Sequence, residues 1–178
     1  WRELEVAATS ADELRRTIWS RIVRARSLSP SLAGPIARAY GDVRRESGVR
    51  FIEGVPETLE LLRRRGYRLG LLTNGLSEVQ WDKIRTLDLA RRLNAIVVGG
   101  DIGCYKPDER AFAALLERLS ARPAQVLFVG DSYDADVIGA HGVGMQTAWI
   151  STDGADYPGT VVPDYVLTSA AEVLEILP

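Results

Sequence analysis

The chain has 178 residues, 46% hydrophobic and 26% charged, and a formal net charge of −2. That balance suits one domain with a proper core, or a core plus a small lobe, and supplies no global field for nucleic acid or an anionic membrane. The single cysteine, Cys104, excludes an internal disulfide, and no apolar run reaches bilayer length, so a cytoplasmic setting without membrane or nucleic-acid partners is expected.

Residues 1–50 carry helix patterns and no strand. Ser10 is placed to cap a helix with Leu14, Ile18 and Ile22 on one face. Ser29-Pro30 breaks it, and a second helix follows with Leu32, Ile36, Tyr40 and Val43 in line, ending before Gly48. The pattern changes after Phe51. Pro56 suits a first helical turn and Gly66 a stop. Short apolar runs then occupy residues 69–72, 95–98, 126–129 and 147–150, with a shorter one at 165–167. Between them Ser77 and Gln80 read as a capping box, Pro107 opens a helix carrying Phe112, Leu115 and Leu119, and Ser169 and Glu172 form a second box. Apolar runs without alternation are strands buried on both faces. Alternating with helices, they predict an α/β fold: a doubly wound parallel sheet over residues 51–178, with residues 1–50 as a small all-helical cap.

In open α/β sheets ligands bind beyond the carboxyl ends of the strands. After Leu72 come Thr73, Asn74 and Gly75; after Val98 come Asp101, Cys104 and Lys106; after Val129 come Gly130, Asp131, Ser132, Asp134 and Asp136. A hydroxyl, a lysine and several carboxylates thus gather on one edge. Asp131 suits Mg²⁺, which takes one or two carboxylates and completes its shell with water and substrate phosphate. Asp136 is placed to orient a metal-bound water or Lys106. The Thr73 hydroxyl and neighbouring backbone N–H groups suit phosphoryl oxygens. Twenty of the 22 basic residues are arginine, so Lys106, a compact point charge fit for a phosphoryl group, stands out. Beside it, Cys104 is expected to be incidental, although a neighbouring lysine lowers a thiol pKa. His141, the single histidine, is expected to be structural.

These segments resemble the haloacid dehalogenase superfamily of hydrolases. Residues 71–75 resemble its second motif, Lys106, Pro107 and Asp108 its third, and residues 129–145, with Asp131 and Asp136, its fourth. Residues 54–59 resemble members with a helical cap. The resemblance implies phosphate-monoester hydrolysis through an aspartyl-phosphate. Thr73 binds a phosphoryl oxygen, with Asn74 and Gly75 as further substrate contacts, and Lys106 stabilises nucleophile and intermediate. Asp131 binds Mg²⁺ and Asp136 supports that metal site. The expected substrate is a small phosphorylated metabolite. The acidic fourth motif favours a phosphatase over a metal-independent 2-haloacid dehalogenase; a non-catalytic phosphate-binding or regulatory relative is the third reading.

One family feature is missing. The first motif, an Asp-x-Asp pair ending a central strand, has no counterpart, because the one Asp-x-Asp here, Asp134 to Asp136, lies inside the fourth motif. The expectation is that the strand and its aspartates precede Trp1, itself an improbable natural start, and that the 178-residue chain alone is inactive. The slot between the strands ending at Thr73 and Gly130 is then filled by direct pairing of those two strands, by a swapped strand or by another chain, in a monomer or dimer.

Overall fold

The computed structural model of the chain describes residues 10–151 and 157–178, apart from the side chain of Arg45. Trp1 and the start of the predicted cap lie outside the described residues. Helix α1 (Ala11–Ala25) is capped by Ser10, whose hydroxyl accepts from the Glu13 N–H at 3.2 Å. A 3₁₀ turn at Pro30–Leu32 leads into α2 (Ala33–Ser47). The two helices pack against each other as a hairpin.

The apolar stripes read from the sequence are not the most buried positions of the hairpin. Val23 is buried on α1, while Ile22 is exposed. On α2 the buried positions are Ala33, Ala37 and Gly41, and the stripe containing Leu32, Tyr40 and Val43 faces outward. Two apolar stripes share this helix, and the one made of small residues admits a closer approach of the partner helix. Trp19 and Tyr40 meet edge to face, 5.9 Å between ring centroids.

The core contains α3 (Val55–Arg64), β1 (Gly70–Thr73), α4 (Ser77–Thr86), β2 (Ala95–Val98), the one-turn α5 (Gly99–Ile102), α6 (Glu109–Leu119) and β3 (Leu127–Gly130). A π-helical turn at Tyr133–Ile138 runs into α7 (Gly139–Gly142), followed by β4 (Gln146–Ile150), β5 (Tyr165–Leu167) and α8 (Val173–Ile176). All strand pairings are parallel. Helices cover both faces. Phe112, Leu115 and Leu119 of α6 pack with Leu72, Val97 and Phe128 on one side, and Leu62 of α3 and Val173 of α8 pack with Ala148 and Leu167 on the other. The doubly wound α/β reading holds.

The sheet is in two parts. Among the described residues β1 pairs only with β2, and β3, β4 and β5 pair in that order. The inner edges of β1 and β3 line one cavity of about 540 Å³. Leu115 and Leu119 border it from one face of the sheet, and Val55, Leu59, Leu62 and Val173 from the other. Direct pairing of β1 with β3, one of the three expected ways of closing the sheet, does not occur among the described residues.

Candidate active site

The carboxyl ends of β1, β2 and β3 each release a loop, and the three loops meet around Lys106. Its ammonium lies 2.6 Å from Asp136 Oδ1, with side-chain exposures of 13% and 5%. The other Asp136 oxygen accepts from the Ser132 backbone N–H at 2.9 Å. Gly130 makes this possible, because a Cβ there would collide with the Asp136 carboxylate. The Lys106 ammonium also sits 5.3 Å from the centroid of the Phe128 ring and lines the cavity between β1 and β3. A buried ion pair contributes little net stability, yet removal of one partner strands a charge, so this pair fixes position more than it adds energy.

Asp136 was expected to support the metal site, orienting either a metal-bound water or Lys106. One of its oxygens is engaged by Lys106 and the other by Ser132, which makes it the partner that orients the lysine. Asp131, directly after β3, is exposed. Its carbonyl accepts from Trp149 Nε1 at 3.0 Å, which anchors the backbone of this exposed residue. Ser132 caps the π-helical turn by accepting from the Ala135 N–H. Among the described residues no three histidine, cysteine or acidic side chains converge as a metal-binding group. One exposed carboxylate fits the way Mg²⁺ binds beside phosphates, as a hard ion keeping most of its shell as water and substrate oxygen.

Asn74 was expected to contact the substrate. Its amide binds the backbone of Lys106 at both ends: Nδ2 donates to the Lys106 carbonyl at 3.0 Å, and Oδ1 accepts from the Lys106 N–H at 2.8 Å. Thr73 Oγ1 lies 3.2 Å from Gln80 Oε1 and 3.3 Å from the Asn74 carbonyl. A hydroxyl has one proton, so binding a phosphoryl oxygen requires Thr73 to turn it from one of these acceptors. Gly75 has a φ of 123°, and a Cβ there would run into Gln80. Its carbonyl accepts from the Gly100 N–H at 3.1 Å, tying the loop after β1 to the one after β2.

The capping box expected at Ser77 and Gln80 does not form. Leu76 occupies the cap position, Ser77 bonds the Asp101 carboxylate, and Gln80 bonds Thr73. Asp101 also accepts from Trp81 Nε1 at 2.8 Å. Gln80 and Asp101 were missed as supports of the site; the acid after two glycines at the end of a strand was the available signal for Asp101. On the other side of Lys106, Asp108 caps α6 and takes a forked contact from Arg110, which holds its carboxyl well below the usual carboxylate range. Cys104 is buried, and burial followed by the Asp108 carboxylate pushes its thiol up, opposite to the effect expected from Lys106. Low accessibility and a raised pKa both oppose reactivity. His141 lies in α7, away from these contacts.

Comparison with known proteins places this geometry in context. The family described as haloacid dehalogenase-like hydrolase matches residues 8–150. A glyceraldehyde 3-phosphate phosphatase of Methanopyrus kandleri is 30% identical over 152 residues, covering 83% of this chain and 65% of that protein. A phosphoserine phosphatase of Thermus thermophilus is 31% identical over 150 residues, covering 83% of this chain and 58% of that protein. The chain thus spans only about three fifths of the length of these curated relatives. Among solved structures, the putative hydrolase YfnB of Bacillus subtilis, crystallised with magnesium, superposes with a TM-score of 0.77 at 26% identity, covering 99% of this chain and 76% of that one. A 2-haloacid dehalogenase of Pseudomonas syringae gives a TM-score of 0.68 at 25% identity, covering 93% and 70%.

Proposed function

Because the chain belongs to the haloacid dehalogenase-like hydrolases, we propose that its site works in hydrolysis of small phosphate monoesters, with the attacking carboxylate delivered by a strand seated between β1 and β3. The observation that carries this reading is the buried Lys106–Asp136 pair, set where the cavity meets the carboxyl ends of the strands. The phosphatase relatives support the substrate class, and the exposed carboxylate of Asp131 supports a hard metal ion.

The contacts support one role for each residue. A carboxylate oxygen entering on the central strand attacks phosphorus, the ester P–O bond breaks, and the leaving oxygen takes up a proton to become an alcohol. Water then attacks phosphorus of the aspartyl-phosphate, releasing inorganic phosphate and restoring the carboxylate. Lys106, held by Asp136, offsets negative charge on the carboxylate and on the phosphoryl oxygens. Thr73 donates its hydroxyl proton to one of those oxygens, and Gly75 keeps the loop tight beneath it. Mg²⁺ bound at Asp131 would supply further positive charge at the phosphoryl group.

A phosphate-ester panel tests this reading on a chain extended by a strand bearing the aspartates. Phosphate release that needs Mg²⁺ and falls in Asp131→Asn supports it. Halide release from 2-haloacids without metal would replace it with the dehalogenase reading, and phosphate binding without turnover with the non-catalytic one.

A further inference from the structure

We infer that Asn74 is a positioning residue for Lys106, acting as a side-chain clamp on the lysine's backbone. The inference rests on the reading of Lys106 as a working residue of the site. Asn74 is on the loop after β1 and Lys106 is 32 residues on, after α5, so no secondary structure fixes one relative to the other. The Asn74 amide bridges them with the two bonds that a neighbouring strand would make: a donor to the Lys106 carbonyl at 3.0 Å and an acceptor for its N–H at 2.8 Å. The Lys106 side chain is fixed at its far end by Asp136. The residue is therefore held at both ends, by Asn74 at the backbone and by Asp136 at the ammonium. Between them they set where the charge sits above the Phe128 ring.

The chemistry is specific to an amide. Aspartate has the same shape and keeps an acceptor for the Lys106 N–H, but when ionised it has no donor and sets a carboxylate oxygen against the Lys106 carbonyl. Alanine loses both bonds and leaves the Lys106 N–H and C=O to find other partners. Neither change touches the ammonium or Asp136.

The chain's lysine content makes the test direct, since Lys83 and Lys106 are its two lysines. The 178-residue chain labelled with side-chain ¹³C and ¹⁵N lysine gives two sets of side-chain resonances. The Lys106 set is expected to be displaced by the Phe128 ring and absent from Lys106→Met, which assigns it. In Asn74→Ala and Asn74→Asp, the Lys106 signals should move toward solvent-exposed lysine values or broaden, while those of Lys83 keep their positions. Lys106 signals unchanged in both variants would overturn the proposal. So would a collapse of the Lys83 signals together with those of Lys106 in both variants, because that would mark a general structural role. The readout does not depend on catalysis. A moved Lys106, with no phosphatase activity in the strand-extended protein, would uphold the clamp and sink the functional reading; an active strand-extended enzyme with an unmoved Lys106 would do the reverse. In an active, strand-containing protein, Asn74→Asp should lower kcat by up to about 10²-fold with KM little changed, the pattern of a misplaced group.

Discussion

The flanks of the sheet and its middle are built from the same kind of sequence and end differently. At β3, β4 and β5, and again at β1 and β2, unalternating apolar runs pair in parallel under helices on both faces. Between β1 and β3, equally apolar runs line a cavity of about 540 Å³ and do not pair. Apolar lining without alternation therefore reports burial on two faces, not the presence of a neighbour in the sheet. The middle also has what the flanks lack: Lys106 on its lining, with Asp136 buried behind it. A parallel strand fitted there would face α6 with one set of side chains and α3 and α8 with the other, and its last residues would arrive at the lysine.

The largest effects should come from breaking the pair at that junction. Asp136→Leu is expected to destabilise the protein by about 3–5 kcal/mol in urea unfolding, because it leaves the Lys106 charge buried alone. Adding Lys106→Met should restore much of the loss, giving a strongly non-additive cycle. Additive losses would show that the ammonium reaches water once Asp136 is gone. In the flank, Phe112→Ala removes a ring that is 0% exposed and packed 5.2 Å, centroid to centroid, from Phe128. A loss of about 3–5 kcal/mol is expected there. A much smaller loss would mean that the flank tolerates a void as the middle does, and the contrast between the regions would vanish.

Smaller effects sharpen the picture. Gly130→Ala should cost about 1–3 kcal/mol, since the added methyl meets the Asp136 carboxylate and must displace it. Ser10→Ala removes the α1 cap and should cost about 1 kcal/mol, confined to the helical hairpin and visible in its amide exchange before the core responds. Exchange that rises equally in the core strands would tie hairpin and core into one cooperative unit.

What the sequence revealed follows the reach of its signals. The five strands and the Ser10 cap are local, and all appear where pattern and capping chemistry predict them. The inner face of α2 was not legible, because an apolar period cannot say which of two stripes faces inward; Ala33, Ala37 and Gly41 are the buried ones, small enough to let the helices approach. The pairing of Lys106 with Asp136 spans 30 residues; sequence order brought both to the same edge but left Asp136 a choice between Lys106 and a metal-bound water. Ser77 was misassigned because it had a plausible local role, and a partner from another loop, Asp101, took the side chain; the bonds of Asn74 to Lys106 were likewise out of reach of a local reading. No helix among the described residues is long and apolar enough to cross a membrane.

The central claim is that catalysis needs a carboxylate-bearing strand in the middle of this sheet. The most direct test compares phosphate release by the 178-residue chain with release by the same chain extended by an apolar strand ending in Asp-x-Asp, each with Mg²⁺. The account predicts no turnover by the chain alone, and turnover by the extended chain that is lost when the first of those aspartates becomes asparagine. Phosphate release by the 178-residue chain itself, abolished by Asp131→Asn, would contradict it.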